Sequence, residues 1–241
     1  MSPSDQEGER RARLLRIAAA TGFLAIIAVV VVVVVASNGG GSGTPADHPT
    51  EVGAVDSLIG KKPQQGLTLG EPSAPVELIE YGDLQCSACK EFSEAVLPQI
   101  IEGQVAAGTA KLSFRNFMII GPDSLPAGAA ALAAGEQGRG WNFLELFYRN
   151  QGAENSGYVT DEFLESIARA AGVKDLARWN AQRQSPKLER EAEATTAEAG
   201  GKLGFEATPS FAIRGPKSEG LELLGTPEGA GPIEEKIEEV S

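Results

Sequence analysis

The positions of the only two cysteines constrain the fold of this 241-residue chain more than any other sequence feature. Cys86 and Cys89 are separated by two residues. They follow the apolar run VELIEY at residues 76–81, which has the length and composition of a strand. Residues 82–85 form a predicted loop, and a helix then begins at Cys86, with apolar side chains spaced three and four residues apart. The pattern therefore predicts a C-x-x-C pair at the junction between a strand and a helix.

The order of the predicted elements indicates an α/β fold. We expect the helix that begins at Cys86 to kink at Pro98 and to end by Gly108, before a second strand at residues 110–117. A strand, a helix and a strand joined by a right-handed crossover form a βαβ unit, so these two strands should be parallel. The remaining predicted elements are helices at residues 125–137, 141–150, 161–171, 175–184 and 186–202, strands at 210–214 and 221–224, and a closing helix at 227–240.

The position of the cysteine pair suits thiol–disulfide exchange. A helix N-terminus has unpaired N–H groups and a partial positive charge, which stabilise a thiolate. Cys86 should therefore have a lowered pKa and act as the nucleophile. Cys89 lies one turn further along the helix, where it can close a disulfide or attack a mixed disulfide.

Other roles for the pair are less consistent with the sequence. A metal site would need further thiolates or imidazoles, but the chain has only these two cysteines and one histidine, His48, in a tether-like segment. A structural disulfide across two residues would constrain little of the unfolded chain. The glycines of GEQGRG at residues 135–140 lie between predicted helices rather than after a strand, so they do not indicate a dinucleotide site. We expect no metal and no cofactor.

Two further features bear on the chemistry. Glu80 lies six residues before Cys86, near the end of a strand in which its neighbours are apolar, where burial would raise its pKa and allow it to relay the proton when Cys89 is deprotonated. The alternative is that Glu80 points to solvent. Thr208-Pro209 precedes a predicted strand, and a cis-proline there would place a backbone edge beside the thiols, where a substrate chain could pair.

Four stretches of the sequence resemble the DsbA-like thiol–disulfide oxidoreductases, a branch of the thioredoxin superfamily. The resemblance covers about residues 63–240. In order, the stretches are LGEPSAPVELIEYGDLQCSACKEF, KLSFRNFMIIGPDSL, AALAAGEQGRGWNFLELFYRNQGAENSG and GFEATPSF. The resemblance implies a thioredoxin-like fold in which residues 124–202 form an inserted helical subdomain.

The resemblance also implies roles for particular residues. Cys86 would be the attacking thiol, Cys89 the resolving thiol and Glu80 the acid below the site. Thr208-Pro209 would be the cis-proline loop, which binds substrate together with the residues between the cysteines.

The two residues between the cysteines depart from the family pattern. Strongly oxidising members commonly carry Pro-His there, whereas this chain has Ser87-Ala88. We therefore expect the pKa of Cys86 to lie below the ~8.5 of a free thiol but well above the ~3.5 of DsbA. The disulfide should be correspondingly less oxidising.

The N-terminal part of the chain predicts a membrane anchor. Residues 17–36 are twenty nearly all apolar residues without a charge, and arginines precede them. The positive-inside rule then places residues 1–16 in the cytoplasm as a stub and the rest of the chain outside. A signal peptide cleaved after Ala36 is the alternative. We expect a flexible linker at residues 37–66 and the catalytic domain at residues 67–241. Within the linker, Val52, Val55, Leu58 and Ile59 follow a helical spacing and could form one short docking helix.

These features predict a thiol–disulfide oxidoreductase, tethered to the cell membrane, that acts on cysteine-containing exported proteins. Oxidation of substrate thiols is the first expectation. The alternatives are a reductase or isomerase, for example in cytochrome maturation, and a thioredoxin-like binding or metal-carrier module. The resemblance implies a quinone-linked membrane partner of the DsbB or vitamin K epoxide reductase type. The net charge of −12 argues against a nucleic-acid partner.

Overall fold

The computed structural model describes residues 49–241. The helices are α1 (Val52–Ile59), α2 (Ser87–Ala95), α3 (Leu97–Ile100), α4 (Ser124–Gly135), α5 (Gly140–Arg149), α6 (Asp161–Ala170), α7 (Leu176–Arg183), α8 (Pro186–Ala197) and α9 (Ala230–Val240). The strands are β1 (Gln64–Gln65), β2 (Thr68–Leu69), β3 (Val76–Gly82), β4 (Ala110–Asn116), β5 (Ser210–Arg214) and β6 (Glu222–Gly225). Two π-helical segments, Ile101–Val105 and Glu198–Lys202, complete the regular structure of this region.

The predicted stub at residues 1–16, the anchor at residues 17–36 and most of the predicted linker lie outside the described residues. Among the helices of residues 49–241, none has the length and apolar character needed to cross a membrane. The anchor therefore stays a prediction from the sequence.

A single six-stranded sheet carries the domain, in the order β1-β2-β4-β3-β5-β6. Strands β3 and β4 run parallel, in register from Val76 opposite Ala110 to Gly82 opposite Asn116, which confirms the predicted βαβ unit. Strand β5 pairs antiparallel with the other edge of β3. All seven residues of β3 are buried because this strand is central to the sheet and covered on both faces.

The helix after the cysteines is interrupted as the sequence predicts. Helix α2 ends at Ala95, and α3 begins with Pro98 in its first turn, where a proline loses no helical hydrogen bond. A π-helical segment follows, and Gly108, at a φ of 73°, allows the chain to turn into β4.

The helical block between β4 and β5 is confirmed, with boundaries within a few residues of the predicted ones for most helices. The longest predicted helix, residues 186–202, is helical over that whole span, but α8 ends at Ala197 and the last turn, Glu198–Lys202, is π-helical. Aromatic side chains of α5 and α7 fill the interior of this block. Trp179 is fully buried, and its indole N–H donates to the carbonyl of Ala130 at 3.0 Å.

The predicted linker at residues 37–66 is folded from Val52 onward, and the short docking helix that the spacing of its apolar residues suggests is present as α1. Helix α1 buries Val55, Leu58 and Ile59 in the main core because its apolar residues recur at helical spacing. Strand β1 and the following β2 then extend the sheet beyond β4. The folded domain therefore begins before residue 67.

Candidate active site

The two cysteines lie at the N-terminus of α2. Cys86 is the N-cap residue, and its sulfur accepts a hydrogen bond from the Cys89 N–H at 3.4 Å. Cys86 is 5% exposed and Cys89 is fully buried. Both are free thiols in this structure. Ser87 and Ala88 are exposed, so substrate can reach the site beside Cys86.

A cis-proline loop lies against Cys86. The Thr208–Pro209 peptide bond is cis, as the resemblance implies. The Cys86 thiol donates to the carbonyl of Thr208 at 3.4 Å across 122 residues of sequence. The Thr226 hydroxyl donates to the Pro209 carbonyl at 2.7 Å and fixes the loop from its other side. The structure thus brings Cys86, Thr208 and Pro209 together.

The two thiols differ strongly in acidity. The pKa of Cys86 is lowered to about 6, chiefly by hydrogen bonding from the Cys89 thiol. Burial opposes this effect, whereas the Thr208 side chain and the N–H groups of Cys89 and Ala88 reinforce it. The pKa of Cys89 is raised well above its ordinary value, chiefly by burial and by its hydrogen bond to Cys86. At neutral pH Cys86 is therefore the thiolate and Cys89 the thiol.

Glu80 occupies the buried position that the sequence predicts, so the solvent-facing alternative is wrong. Its side chain on β3 is completely buried, and neither carboxylate oxygen has a hydrogen-bond partner within residues 49–241. Burial, the charge of Glu145 and the charge of Cys86 raise the pKa of Glu80 to about 8. Glu80 in turn contributes to the raised pKa of Cys89. A carboxyl group with a raised pKa is thus placed near the Cys89 thiol.

The loop after α5 holds the active-site loop in place, which the sequence did not predict. Glu154 Oε1 accepts the Ser87 N–H at 2.8 Å, at the first residue of α2. Gln151 Nε2 donates to the carbonyls of Leu84 at 2.7 Å and of Cys86 at 3.2 Å. Both glutamine and glutamate fall within one stretch that resembles the family, but no spacing rule connects them to the cysteines. The helical block therefore contacts the backbone on both sides of Cys86.

Asp83 fixes the start of the active-site loop and was also missed. Its buried carboxylate accepts four hydrogen bonds, from the N–H groups of Gln85, Ile119 and Ile120 and from the Ser124 hydroxyl, all at 2.8–2.9 Å. These bonds tie the loop before Cys86 to the loop after β4 and to the first turn of α4. The carboxylate therefore holds three segments around the site without touching either thiol.

The arrangement of a central strand, a helix capped by a C-x-x-C pair and a facing cis-proline is that of a thioredoxin-like oxidoreductase. A family model described as Thioredoxin matches residues 62–223. "Probable disulfide bond formation protein D" of Bacillus cereus is 30% identical over 151 residues, which are 61% of this chain and 69% of that protein. "Disulfide bond formation protein D" of Bacillus subtilis is 28% identical over 168 residues, 66% of this chain and 72% of that protein.

The fold agrees with a solved relative. The crystal structure of oxidised BdbD from Bacillus subtilis matches with a TM-score of 0.64 and 23% identity, over 74% of this chain and 95% of that one. The chain belongs to the DsbA-like thiol–disulfide oxidoreductases of the thioredoxin superfamily. It is therefore an enzyme that exchanges disulfides with cysteine-containing proteins.

Proposed function

We propose that this enzyme oxidises pairs of cysteines in exported proteins through a Cys86–Cys89 disulfide. The observation that carries the proposal is the opposite shift of the two thiols, with the pKa of Cys86 lowered to about 6 and that of Cys89 raised. A low pKa makes Cys86 a good leaving group when a substrate disulfide forms. It also stabilises the reduced enzyme, which makes the disulfide oxidising.

The reaction follows from this asymmetry. A substrate thiolate attacks Cys86 Sγ, the Cys86–Cys89 bond breaks, and Cys89 leaves with the electron pair and takes up a proton. The substrate's second thiolate then attacks the substrate sulfur of the mixed disulfide and releases Cys86 as a thiolate. Two electrons pass from the substrate dithiol to the cysteine pair, and of the two substrate protons one is taken up and one is released to solvent.

Glu80 supplies the proton to Cys89 in this scheme. A buried sulfur with a raised pKa cannot remain a thiolate without a large free-energy cost, and solvent reaches a fully buried residue only when the protein opens locally, so a neighbouring carboxyl group is the nearer proton donor. Glu80 lies near it with a pKa of about 8, so at neutral pH the carboxyl group holds a proton that it can give.

The exposed residues at the edge of the site bind the substrate in this scheme. Ser87 and Ala88 are the exposed residues between the cysteines, and the backbone at Thr208 and Pro209 offers an edge beside Cys86. We infer that an extended substrate segment pairs with this edge, so that main-chain hydrogen bonds bind many different sequences.

Membrane tethering and export belong to the same proposal. They rest on the uncharged apolar run at residues 17–36 and the arginines before it. Reoxidation would come from a quinone-linked membrane protein of the DsbB or vitamin K epoxide reductase type. Protease treatment of intact cells should degrade the catalytic domain, whereas complete protection would contradict its export.

The direction of electron flow is tested by the reduction potential. Ser87-Ala88 lacks the histidine common in strong oxidants, an observation that favours a reductase or isomerase as the second candidate. Equilibration with glutathione buffers should place the potential above the ≈ −270 mV of thioredoxin. A value at or below that of thioredoxin would support the reductase.

The cysteine chemistry itself is tested with a reduced two-cysteine peptide. The oxidised protein should convert it to the disulfide stoichiometrically. Cys86→Ser should abolish the reaction, and Glu91→Gln, an exposed substitution on the same helix away from the substrate edge, should leave it largely intact. Equal oxidation by Cys86→Ser would overturn the proposed function, and metal retention without oxidation would favour a carrier module.

A further inference from the structure

A second buried carboxylate lies beneath the active-site helix, contributed by the helical block. Glu145 on α5 is 1% exposed. Its Oε1 accepts the hydroxyl proton of Ser93 at 3.0 Å, and its Oε2 accepts a hydrogen bond from Arg149 at 3.2 Å. Ser93 belongs to α2 and comes four residues after Cys89, so both lie on the same face of that helix. Glu145 therefore lies one turn below the resolving cysteine.

The two buried carboxylates differ in how their charge is compensated. Glu145 has Ser93 and Arg149 as partners, and Arg149 also donates to Glu51 at 2.8 Å. Glu80 has no hydrogen-bond partner among residues 49–241, and the charge of Glu145 is the largest electrostatic cause of its raised pKa after burial. A negative charge shared between the two is therefore better accommodated on Glu145.

The titration of the pair agrees with this geometry. Burial raises the pKa of Glu145 to about 7, a shift that Arg149 and Ser93 limit, whereas the pKa of Glu80 is raised to about 8. As pH rises, Glu145 is the first of the two to lose its proton. Its negative charge then opposes the ionisation of Glu80.

We propose that Glu145 is a positioning residue for disulfide exchange, whose carboxylate takes the negative charge of the buried pair and so keeps a proton on Glu80 for Cys89. The proposal rests on the proposed function, which assigns the proton transfer to Glu80. In the step it supports, the proton moves from Glu80 to the departing sulfur of Cys89. Glu80 is then reprotonated from solvent.

Other charged groups act on the same pair. Glu94 on α2 opposes the ionisation of Glu145, whereas Arg149 favours it. Glu51, at the start of α1, partly neutralises Arg149 from the other side. The Cys86 thiolate raises the pKa of Glu80. Since this last charge exists only in the reduced protein, the pKa of Glu80 must differ between the two redox states.

Measuring the reduction potential as a function of pH detects this difference in the pKa of Glu80 between the two redox states. Its slope should change near pH 8 in the native protein because Glu80 titrates there in the reduced state. In Glu145→Gln, which keeps an oxygen acceptor but removes the charge, the change of slope should move about one pH unit lower. Glu145→Asp keeps the charge and should stay within a few tenths of a unit of the native value. Glu91→Gln, an exposed substitution on α2, should leave the change in place.

Two results would overturn the proposal. One is a change of slope that stays at its native pH in Glu145→Gln. The other is a shift in Glu145→Asp as large as that in Glu145→Gln, because a residue that acted only through packing would respond to its change of shape and not to the loss of its charge. Should Glu145→Gln not fold, Ser93→Ala removes one hydrogen bond from Glu145 and should give a smaller shift in the same direction. No shift in Ser93→Ala would then contradict the proposal.

Failure of the Glu145 proposal and failure of the proposed function can be told apart. The potential is an equilibrium property and does not depend on whether the protein is an oxidant in the cell. A change of slope that survives in Glu80→Gln would show that Glu80 is not the titrating group, and the proton transfer assigned to Glu80 would fail. Failure to oxidise the two-cysteine peptide would remove the oxidant role, while the shift in Glu145→Gln would still report on the carboxylate pair.

Discussion

The lowered pKa of Cys86 makes the stability of the reduced protein depend on pH. Folding lowers this pKa from 9.0 to about 6, and the residue is only 5% exposed. A group whose pKa is lowered in the folded state stabilises that state fully above its unfolded pKa. The stabilisation is lost as pH falls through the folded pKa. Replacing the ionisable group with serine in Cys86→Ser should therefore remove a pH-dependent part of the free energy of unfolding.

The size of this contribution follows from the two pKa values. Three pKa units correspond to a ceiling of about 4 kcal/mol, reached above about pH 9. At pH 7 the linkage relation gives about 1.4 kcal/mol, at pH 8 about 2.7 kcal/mol, and at pH 5 almost nothing. Serine can accept the Cys89 N–H and donate to the Thr208 carbonyl as cysteine does, so the pH-independent difference between the two proteins should be modest.

Urea unfolding of both proteins under reducing conditions measures the effect. The difference in the free energy of unfolding between native protein and Cys86→Ser should grow from pH 5 to pH 7. The expected growth is about 1.4 kcal/mol if folding lowers the pKa of Cys86 by the full three units, and a value between about one and two kcal/mol agrees with the argument. A difference that stays constant over this range would refute the argument, since it would mean that the Cys86 thiolate is no more stable in the folded protein than in the unfolded chain.

Three further substitutions have expected outcomes. Glu154→Gln removes a carboxylate from the N-terminus of α2, so the pKa of Cys86 should fall by a few tenths of a unit, measured by thiolate absorbance; an increase would contradict this. Trp179→Ala should cost about 3–5 kcal/mol in urea unfolding, because it empties a fully buried site. Burial raises the pKa of Glu77, but hydrogen bonds, including one from Arg214, outweigh burial and lower it. Glu77 therefore stabilises the fold above its unfolded pKa of 4.5, and Glu77→Gln should flatten the loss of stability as pH falls below that value.

Local patterns in the sequence predicted the elements that carry the site. The strand, loop and helix around the cysteines follow from a short apolar run and a helical period, and both are properties of adjacent residues. The parallel pairing of β3 with β4 follows from the handedness of the crossover. For Glu80 the sequence left two alternatives, a buried and a solvent-facing side chain, and the burial of the whole of β3 decides between them.

Contacts between distant segments could not be predicted in this way. Glu154, Gln151 and Glu145 act at the site through hydrogen bonds to α2 and to the loop before it, across 52 to 67 residues of sequence. No periodicity or spacing connects them to the cysteines. The apolar spacing of residues 52–59 suggested a short docking helix, but the spacing alone could not show that this helix belongs to the folded domain, because that depends on the distant segments that cover it.

Trapping the mixed disulfide tests the central claim, that Cys86 forms the bond to substrate and Cys89 is its buried partner, most directly. In Cys89→Ala a one-cysteine peptide activated as a mixed disulfide should remain covalently bound to the protein, because neither the protein nor the peptide retains a second thiol that could release it. Mass spectrometry of the digested adduct should locate the bond at Cys86, and Cys86→Ala should accumulate far less adduct because its remaining thiol is fully buried. Equal adduct formation at Cys89 in Cys86→Ala would contradict the assignment of the two thiols.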